Sequence, residues 1–165
     1  MSERVIESSM EASIAPASFA QSRLWFLDRL EPGNLEYHIP LAVRLGGQLD
    51  LRALERALNE LTRRHETLRT TFTVDGERVM QVIHPAAKGS TLQVRTSHSN
   101  HTLAAQLTEE SRQPFDLITG PLWRATLWEE SEDSHVLQLT LHHIISDGWS
   151  LGILVRELGL FYRGE

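Results

Sequence analysis

Apolar positions along the chain switch repeatedly between a helical and a strand period. Ser18 with Gln21 three residues later forms a capping box, and Leu24, Leu27 and Leu30 follow on one helical face until Pro32-Gly33. Tyr37 to Leu45 reads as a strand, broken by Gly46-Gly47. Asp50 then caps a second helix with Leu51, Leu54, Leu58 and Leu61 on its buried side. Thr67 to Val74 and Val79 to Ile83 read as strands joined by an Asp75-Gly76 hairpin turn. Leu92 to Thr96 is a weaker strand, and His101 to Arg112 a helix ended by Pro114. Leu122 to Glu129 and His135 to Ile145 are the last strands, linked through Glu129, Glu130, Glu132 and Asp133. Leu151, Leu154, Val155, Leu158, Phe161 and Tyr162 then recur at helical spacing. Such interleaving predicts an α/β two-layer sandwich. Residues 1–16 are polar and small, and read as a flexible tail before a folded unit at 17–165.

The chemistry concentrates where the last strand meets the last helix, Leu141-His-His-Ile-Ile-Ser-Asp-Gly-Trp-Ser150. Strand side chains alternate between faces, so His142 and His143 point to opposite sides. His143 falls with Leu137, Leu139 and Leu141; His142 falls with Val136, Gln138 and Thr140. Asp147-Gly148 reads as a tight turn, with Gly148 free to take a positive φ. Either Ser150 or Asp147 serves as the N-cap of the helix.

Composition narrows the options. The 165 residues suit one domain, and a chain of that size buries roughly 70% of its unfolded surface. Hydrophobic residues make up 41% and charged residues 23%, an ordinary globular mixture. With no cysteine, disulfides and thiolate chemistry are excluded. The net charge of −6 argues against nucleic acid. No run approaches the ~20 apolar residues of a membrane span. Met1 to Ala17 lacks the pattern of a signal peptide, so a cytoplasmic location is expected. Beyond the adjacent His142 and His143, only His98 and His101 are closely spaced. No cysteine or carboxylate completes a metal set with them, so no metal is expected.

His142, His143, Asp147 and Gly148 fill the His-His-x-x-x-Asp-Gly pattern, and the chain resembles the condensation domains of nonribosomal peptide synthetases. Two further stretches carry the resemblance. Ser18-Phe-Ala-Gln-Ser-Arg-Leu-Trp-Phe-Leu27 is similar to the family's first core motif, and Arg64-His-Glu-Thr-Leu-Arg-Thr-Thr-Phe72 to its second. The resemblance implies a lobe like that of chloramphenicol acetyltransferase, one half of a V-shaped two-lobe domain. Residues 17–165 would be the N-terminal lobe, with the C-terminal lobe outside this sequence. It further implies amide-bond formation between a donor acyl or peptidyl thioester and the amine of an acceptor aminoacyl thioester. Both substrates would ride on phosphopantetheine arms of carrier domains, with an adenylation domain downstream and no cofactor bound by the lobe. The first and third motifs lean towards the branch that takes a D-configured donor. Alternatives are an epimerisation relative, an acyltransferase using coenzyme A through the shorter His143-x-x-x-Asp147-Gly148 pattern, or a non-catalytic docking lobe.

On this resemblance His143 is the central residue, and either accepts the amine proton or only positions the amine. His142 is expected to make a structural hydrogen bond. Asp147 is expected in an ion pair with Arg64 or Arg69, because a buried carboxylate needs a partner. Gly148 would keep the backbone clear at the tunnel mouth. Ser18, Gln21, Arg23, Trp149 and Ser150 are candidate tunnel residues, while Trp25 and Trp149 read first as packing. The lobe alone is expected to be inactive and to self-associate through the face that meets its missing half.

Overall fold

The computed structural model describes residues 11–86, 92–96 and 102–165. Four helices and seven strands lie among them: β1 Ser13–Pro16, α1 Phe19–Leu30, β2 His38–Gly46, α2 Leu51–Arg64, β3 Thr70–Asp75, β4 Arg78–Ile83, β5 Leu92–Thr96, α3 Leu103–Ser111, β6 Trp123–Ser131, β7 Ser134–His142 and α4 Gly148–Arg163. The strands form two sheets. One has the order β2-β7-β6-β5, antiparallel except for the β5–β6 pair; the other is an antiparallel β1-β4-β3. The expected mixed α/β architecture is present.

β7 is the strand around which the larger sheet is built. It pairs with β2 on one edge and β6 on the other. From His135 to His142 every residue is buried. Leu137 and Leu139 line one apolar cleft with Leu54 of α2 and with Val155 and Leu158 of α4. The opposite face is polar but satisfied at Gln138. That side chain accepts the Trp128 indole N–H at 3.0 Å and donates to the Leu107 carbonyl of α3 at 2.7 Å. Burial on both sides explains why the strand reads as an apolar run with polar residues at alternate positions.

Three boundaries differ most from the sequence expectation, each for a local reason. Ser13–Pro16 is not tail but β1, an edge strand on β4 with Ser13 opposite Ile83 and Pro16 opposite Met80. Its side chains are mostly exposed, so no apolar alternation marks it, and Pro16 is tolerated on an edge. β3 begins at Thr70 rather than Thr67, because Glu66–Arg69 coils into a 3-10 turn closed by the Thr70 hydroxyl on the Glu66 carbonyl at 2.7 Å. β7 stops at His142 rather than Ile145, for a reason that belongs to the site. The Asp75-Gly76 hairpin is as expected, with Gly76 at φ 60°.

A buried carboxylate in an ion pair lies on α3. Glu110 is 1% exposed and sits between two strands' arginines. Arg95 of β5 is 2.9 Å from its carboxylate and Arg124 of β6 is 3.6 Å away, while the Gln113 amide donates at 3.1 Å. Arg124 also donates to the carbonyls of Gln113 and Pro114, just beyond the C-terminal end of α3. We expect Glu110→Ala to cost roughly 1–3 kcal/mol, since it takes the carboxylate from Arg95 and Arg124 and the acceptor from the Gln113 amide. Chemical denaturation of the purified variant measures this, and a loss no larger than that of a surface substitution would contradict it.

Candidate functional site

The site is the turn between β7 and α4, and its geometry follows from the two histidines. His142 is 2% exposed and lies on the Gln138–Thr140 face, as the alternation requires. Its ring is enclosed by Tyr37, His38 and Phe115, with centroids 6.4, 6.0 and 6.2 Å away. Its Nδ1 accepts the Ile144 backbone N–H at 3.1 Å. That hydrogen bond curls the chain, so the strand cannot continue to Ile145. Accepting at Nδ1 also places the proton on Nε2 in the neutral ring. Burial first, then the neighbouring His38 and His143 charges, push the His142 pKa down to about 4.

His143 is the first residue beyond the strand and therefore leaves the leucine face assigned to it. Its backbone N–H donates to the Tyr37 carbonyl at 2.7 Å, and its carbonyl accepts the Ser146 N–H at 3.4 Å. The side chain is exposed, and no described residue hydrogen-bonds to the ring. A fixed backbone thus carries an imidazole with both nitrogens available.

Asp147 is the N-cap of α4. Its carboxylate accepts the Ser150 N–H at 2.8 Å and the Ser150 hydroxyl at 2.7 Å. These bonds hold its pKa below the ordinary carboxylate value, with a smaller contribution from His143. The expected ion pair with Arg64 or Arg69 is absent. Asp147 is exposed, so the desolvation that would demand an arginine does not arise. Arg64 instead pairs with Glu157 of α4 at 3.1 Å, and the same carboxylate takes His65 Nε2 at 2.6 Å. Arg69 pairs with Glu66 at 3.2 Å and donates to the His84 carbonyl at 2.5 Å. Glu157 is the residue that sequence reasoning missed. It stands between Leu154 and Leu158 on α4, and a charge beside an apolar stripe is the signal that marks it.

Gly148 is the first residue of α4, not a left-handed turn residue; its φ is not positive. A Cβ there would meet nothing within 4 Å. Trp149 is 82% exposed, so it does not pack as expected, whereas Trp25 at 6% does. The Ser150 hydroxyl is committed to Asp147. Ser18 and Gln21 form the predicted capping box, at 2.8 and 3.2 Å. Gln21 also reaches the Ile144 carbonyl at 3.5 Å, so α1 touches the histidine turn. Arg23 is exposed on α1. His98 and His101 lie outside the described residues; among those described, no cluster of three metal-ligating side chains occurs. No described helix is long and apolar enough to cross a membrane.

The condensation domain model matches residues 11–165, and the chain belongs to that family. It is 49% identical over 153 residues to a linear gramicidin synthase of Brevibacillus parabrevis, covering 90% of this chain and 3% of that protein. It is 50% identical over 145 residues to the nonribosomal peptide synthetase kk1B of Curvularia clavata, covering 88% of this chain and 1% of that one. Among solved structures it is similar to the X-domain from teicoplanin biosynthesis, with a TM-score of 0.81 and 39% identity over 89% of this chain and 32% of that one. It shares the fold of the starter condensation domain of rhizomide synthetase RzmA, with a TM-score of 0.81 and 23% identity over 91% of this chain and 39% of that one. The chain thus spans a few hundredths of its curated relatives and about a third of the solved domains.

Asp147→Asn should melt with the unmodified chain, because asparagine caps a helix as well as aspartate does. Glu157→Ala should lose roughly 1–3 kcal/mol by stripping His65 and Arg64 of their acceptor. Thermal melts of both variants check this, and the reverse ranking would restore the ion-pair assignment for Asp147. A further expectation concerns pH. A histidine whose folded pKa is depressed contributes stability that is full above its unfolded value of 6.5 and declines as pH falls towards about 4. Relative to His142→Gln, the unmodified chain should lose on the order of 3 kcal/mol across that window. Urea unfolding at pH 7, 5.5 and 4.5 measures the difference, and parallel curves would refute the buried neutral ring.

Proposed function

We propose that this chain is the histidine-bearing lobe of a condensation domain that forms an amide bond between two carrier-bound thioesters. The observation that carries the reading is His143: an exposed imidazole with no hydrogen-bond partner among the described residues, on a turn fixed by backbone hydrogen bonds. The acceptor amine attacks the donor thioester carbonyl, the C–N bond forms and the C–S bond breaks. The amine loses one proton and the departing thiolate takes one up. His143 accepts the amine proton or holds the amine in line, and its freedom from other partners suits either role. Gly148, with open space where a side chain would begin, leaves the approach to His143 clear. Exposed Trp149 follows Gly148 in the chain, while Ser18, Gln21 and Ser150 act indirectly by fixing α1 and α4.

The substrates would arrive on phosphopantetheine arms of donor and acceptor carrier proteins, in the cytoplasm, with an adenylation domain downstream. A second, C-terminal lobe would face this one. Exposed Phe19, Phe26 and Leu30 form a stripe on α1, and Trp149 and Ile153 a shorter one on α4. These are the surface we assign to that contact, and to self-association of the lobe by itself. Proximity and orientation supply ~7–11 kcal/mol of a two-substrate barrier, which one wall of a tunnel does not provide.

A second reading is a lobe that recruits a partner protein. It is favoured by 36% identity, over 98% of this chain, to the X-domain solved in complex with OxyB from teicoplanin biosynthesis. The two readings separate in one experiment. The two-lobe domain containing this chain is mixed with loaded donor and acceptor carriers, as the unmodified protein and as His143→Ala. We expect peptide from the former, a loss of at least about 100-fold in the latter with an unchanged melting temperature, and none from this lobe alone. No peptide from the unmodified two-lobe domain would leave recruitment as the better account, and near-normal peptide formation by His143→Ala would remove His143 from the chemistry.

A further inference from the structure

His38 opens β2 outside all three sequence motifs, yet its ring lies against His142, which closes the histidine turn. In the strand register it stands directly opposite His142. Its neighbour Tyr37 supplies the carbonyl that takes the His143 N–H. Its Nδ1 lies 2.8 Å from the Ser111 carbonyl at the end of α3. A carbonyl only accepts, so Nδ1 carries the proton and Nε2 keeps its lone pair. The His38 ring meets Phe115 edge-on at 4.9 Å and His142 at 6.0 Å, and Phe115 meets His142 at 6.2 Å. Three rings are thus interlocked, and the one nearest the turn holds the Ile144 N–H.

We propose that His38 is a positioning residue for His143: its ring, anchored to α3, braces the His142 ring so that Nδ1 stays aimed at the Ile144 N–H and the turn bearing His143 keeps its shape. The proposal rests on the condensation reading of His143. The mechanism is steric and dielectric together. Edge-on aromatic contacts favour one orientation, and the interlocked rings keep water from His142. A hydrated or protonated His142 ring would give up its lone pair and release Ile144.

The charged and titratable groups facing this pair come from several elements. Asp28 of α1 and Arg124 of β6 act on His38, His143 of the turn acts on His142, and Asp116 before β6 acts on Asp28. Burial first disfavours the charged form of His38, and Arg124 adds to it, while the bond to Ser111 and the charge of Asp28 oppose them. Both rings are therefore neutral near pH 7.

Two variants separate the ring from the hydrogen bond. His38→Asn keeps a donor for the Ser111 carbonyl and loses the ring; His38→Phe keeps a ring and loses the donor. The 165-residue chain carries the first measurement, histidine NMR titration. His142 should titrate near 4 in the unmodified chain, stay well below 6.5 in His38→Phe, which keeps the burial and loses only the smaller contribution of the His38 charge, and move furthest up towards 6.5 in His38→Asn. Amide exchange of Ile144 supplies a variant-free check, since its protection should fall as His142 gains its proton. The second measurement is condensation by the two-lobe domain. His38→Asn should lower kcat roughly 10- to 100-fold with little change in KM, and His38→Phe should recover most of it. Unchanged kcat and His142 titration in His38→Asn would overturn the proposal. So would a shifted titration with an unchanged rate, or Ile144 protection that ignores pH. Failure of the reading it rests on shows differently: no peptide from the unmodified two-lobe domain, or a His143→Ala domain that remains active.

Discussion

The hydrogen bond from the Ile144 N–H to His142 Nδ1 is the constraint from which the site follows. A strand continues as long as its amides can join the neighbouring ladder. Here β7 withholds one amide from that ladder and returns it to the strand's own last side chain. The chain must then turn, and it turns at once: Ile145 and Ser146 bond back to His142 and His143, and α4 starts at Gly148. A charged imidazole cannot accept that amide, so the turn requires a neutral, dry ring. The aromatic enclosure of His142 by Tyr37, His38 and Phe115 meets that requirement. Two adjacent residues of the same type thereby acquire opposite duties: one is spent on architecture, and the other is left free.

Most of the element order was legible because it rests on long, strongly periodic segments. The Leu51-Leu54-Leu58-Leu61 face of α2 and the alternation through β7 both depend on burial, which leaves a pattern in sequence. What stayed hidden depends on something else. β1 is held mainly by backbone pairing, with most of its side chains in water, so Ser13 to Pro16 looks like tail. The end of β7 is set by a side-chain-to-backbone bond two residues long, which no hydrophobic period encodes. Gly148 follows an aspartate and so resembles a turn, yet Asp147 serves as a cap and its glycine is helical. A Ser150 side chain aimed back at Asp147 reads the same, in sequence, as one aimed at substrate.

The reassigned ion pairs show why electrostatics resists sequence reading more than packing does. A buried carboxylate does require a cation, but burial is a property of the fold rather than of the motif. Glu110, on a short helix of unremarkable sequence, is the carboxylate that ends up between Arg95 and Arg124. Asp147, inside the chain's most conspicuous motif, remains in water and needs no cation. Glu157 stands between these cases: partly buried, it gathers Arg64 and His65 from the end of α2. The second motif therefore acts on the site at one remove. It grips α4 more than two turns beyond the cap, and so limits how the start of that helix can move.

That indirect grip gives the three motifs a common physical logic. Each secures a different side of one exposed imidazole. From the first motif, Gln21 ties α1 to the Ile144 carbonyl. Arg64 and His65 of the second hold the body of α4 through Glu157. The third contributes the turn itself, closed by His142 and capped by Asp147. The start of β2 and the residue before it complete the set from outside the motifs, through the His38 ring and the Tyr37 carbonyl. Backbone and buried rings bear the positional load, so the His143 side chain itself is left without a structural duty. A side chain that must exchange a proton, or hold an incoming amine, works best when the fold asks nothing else of it.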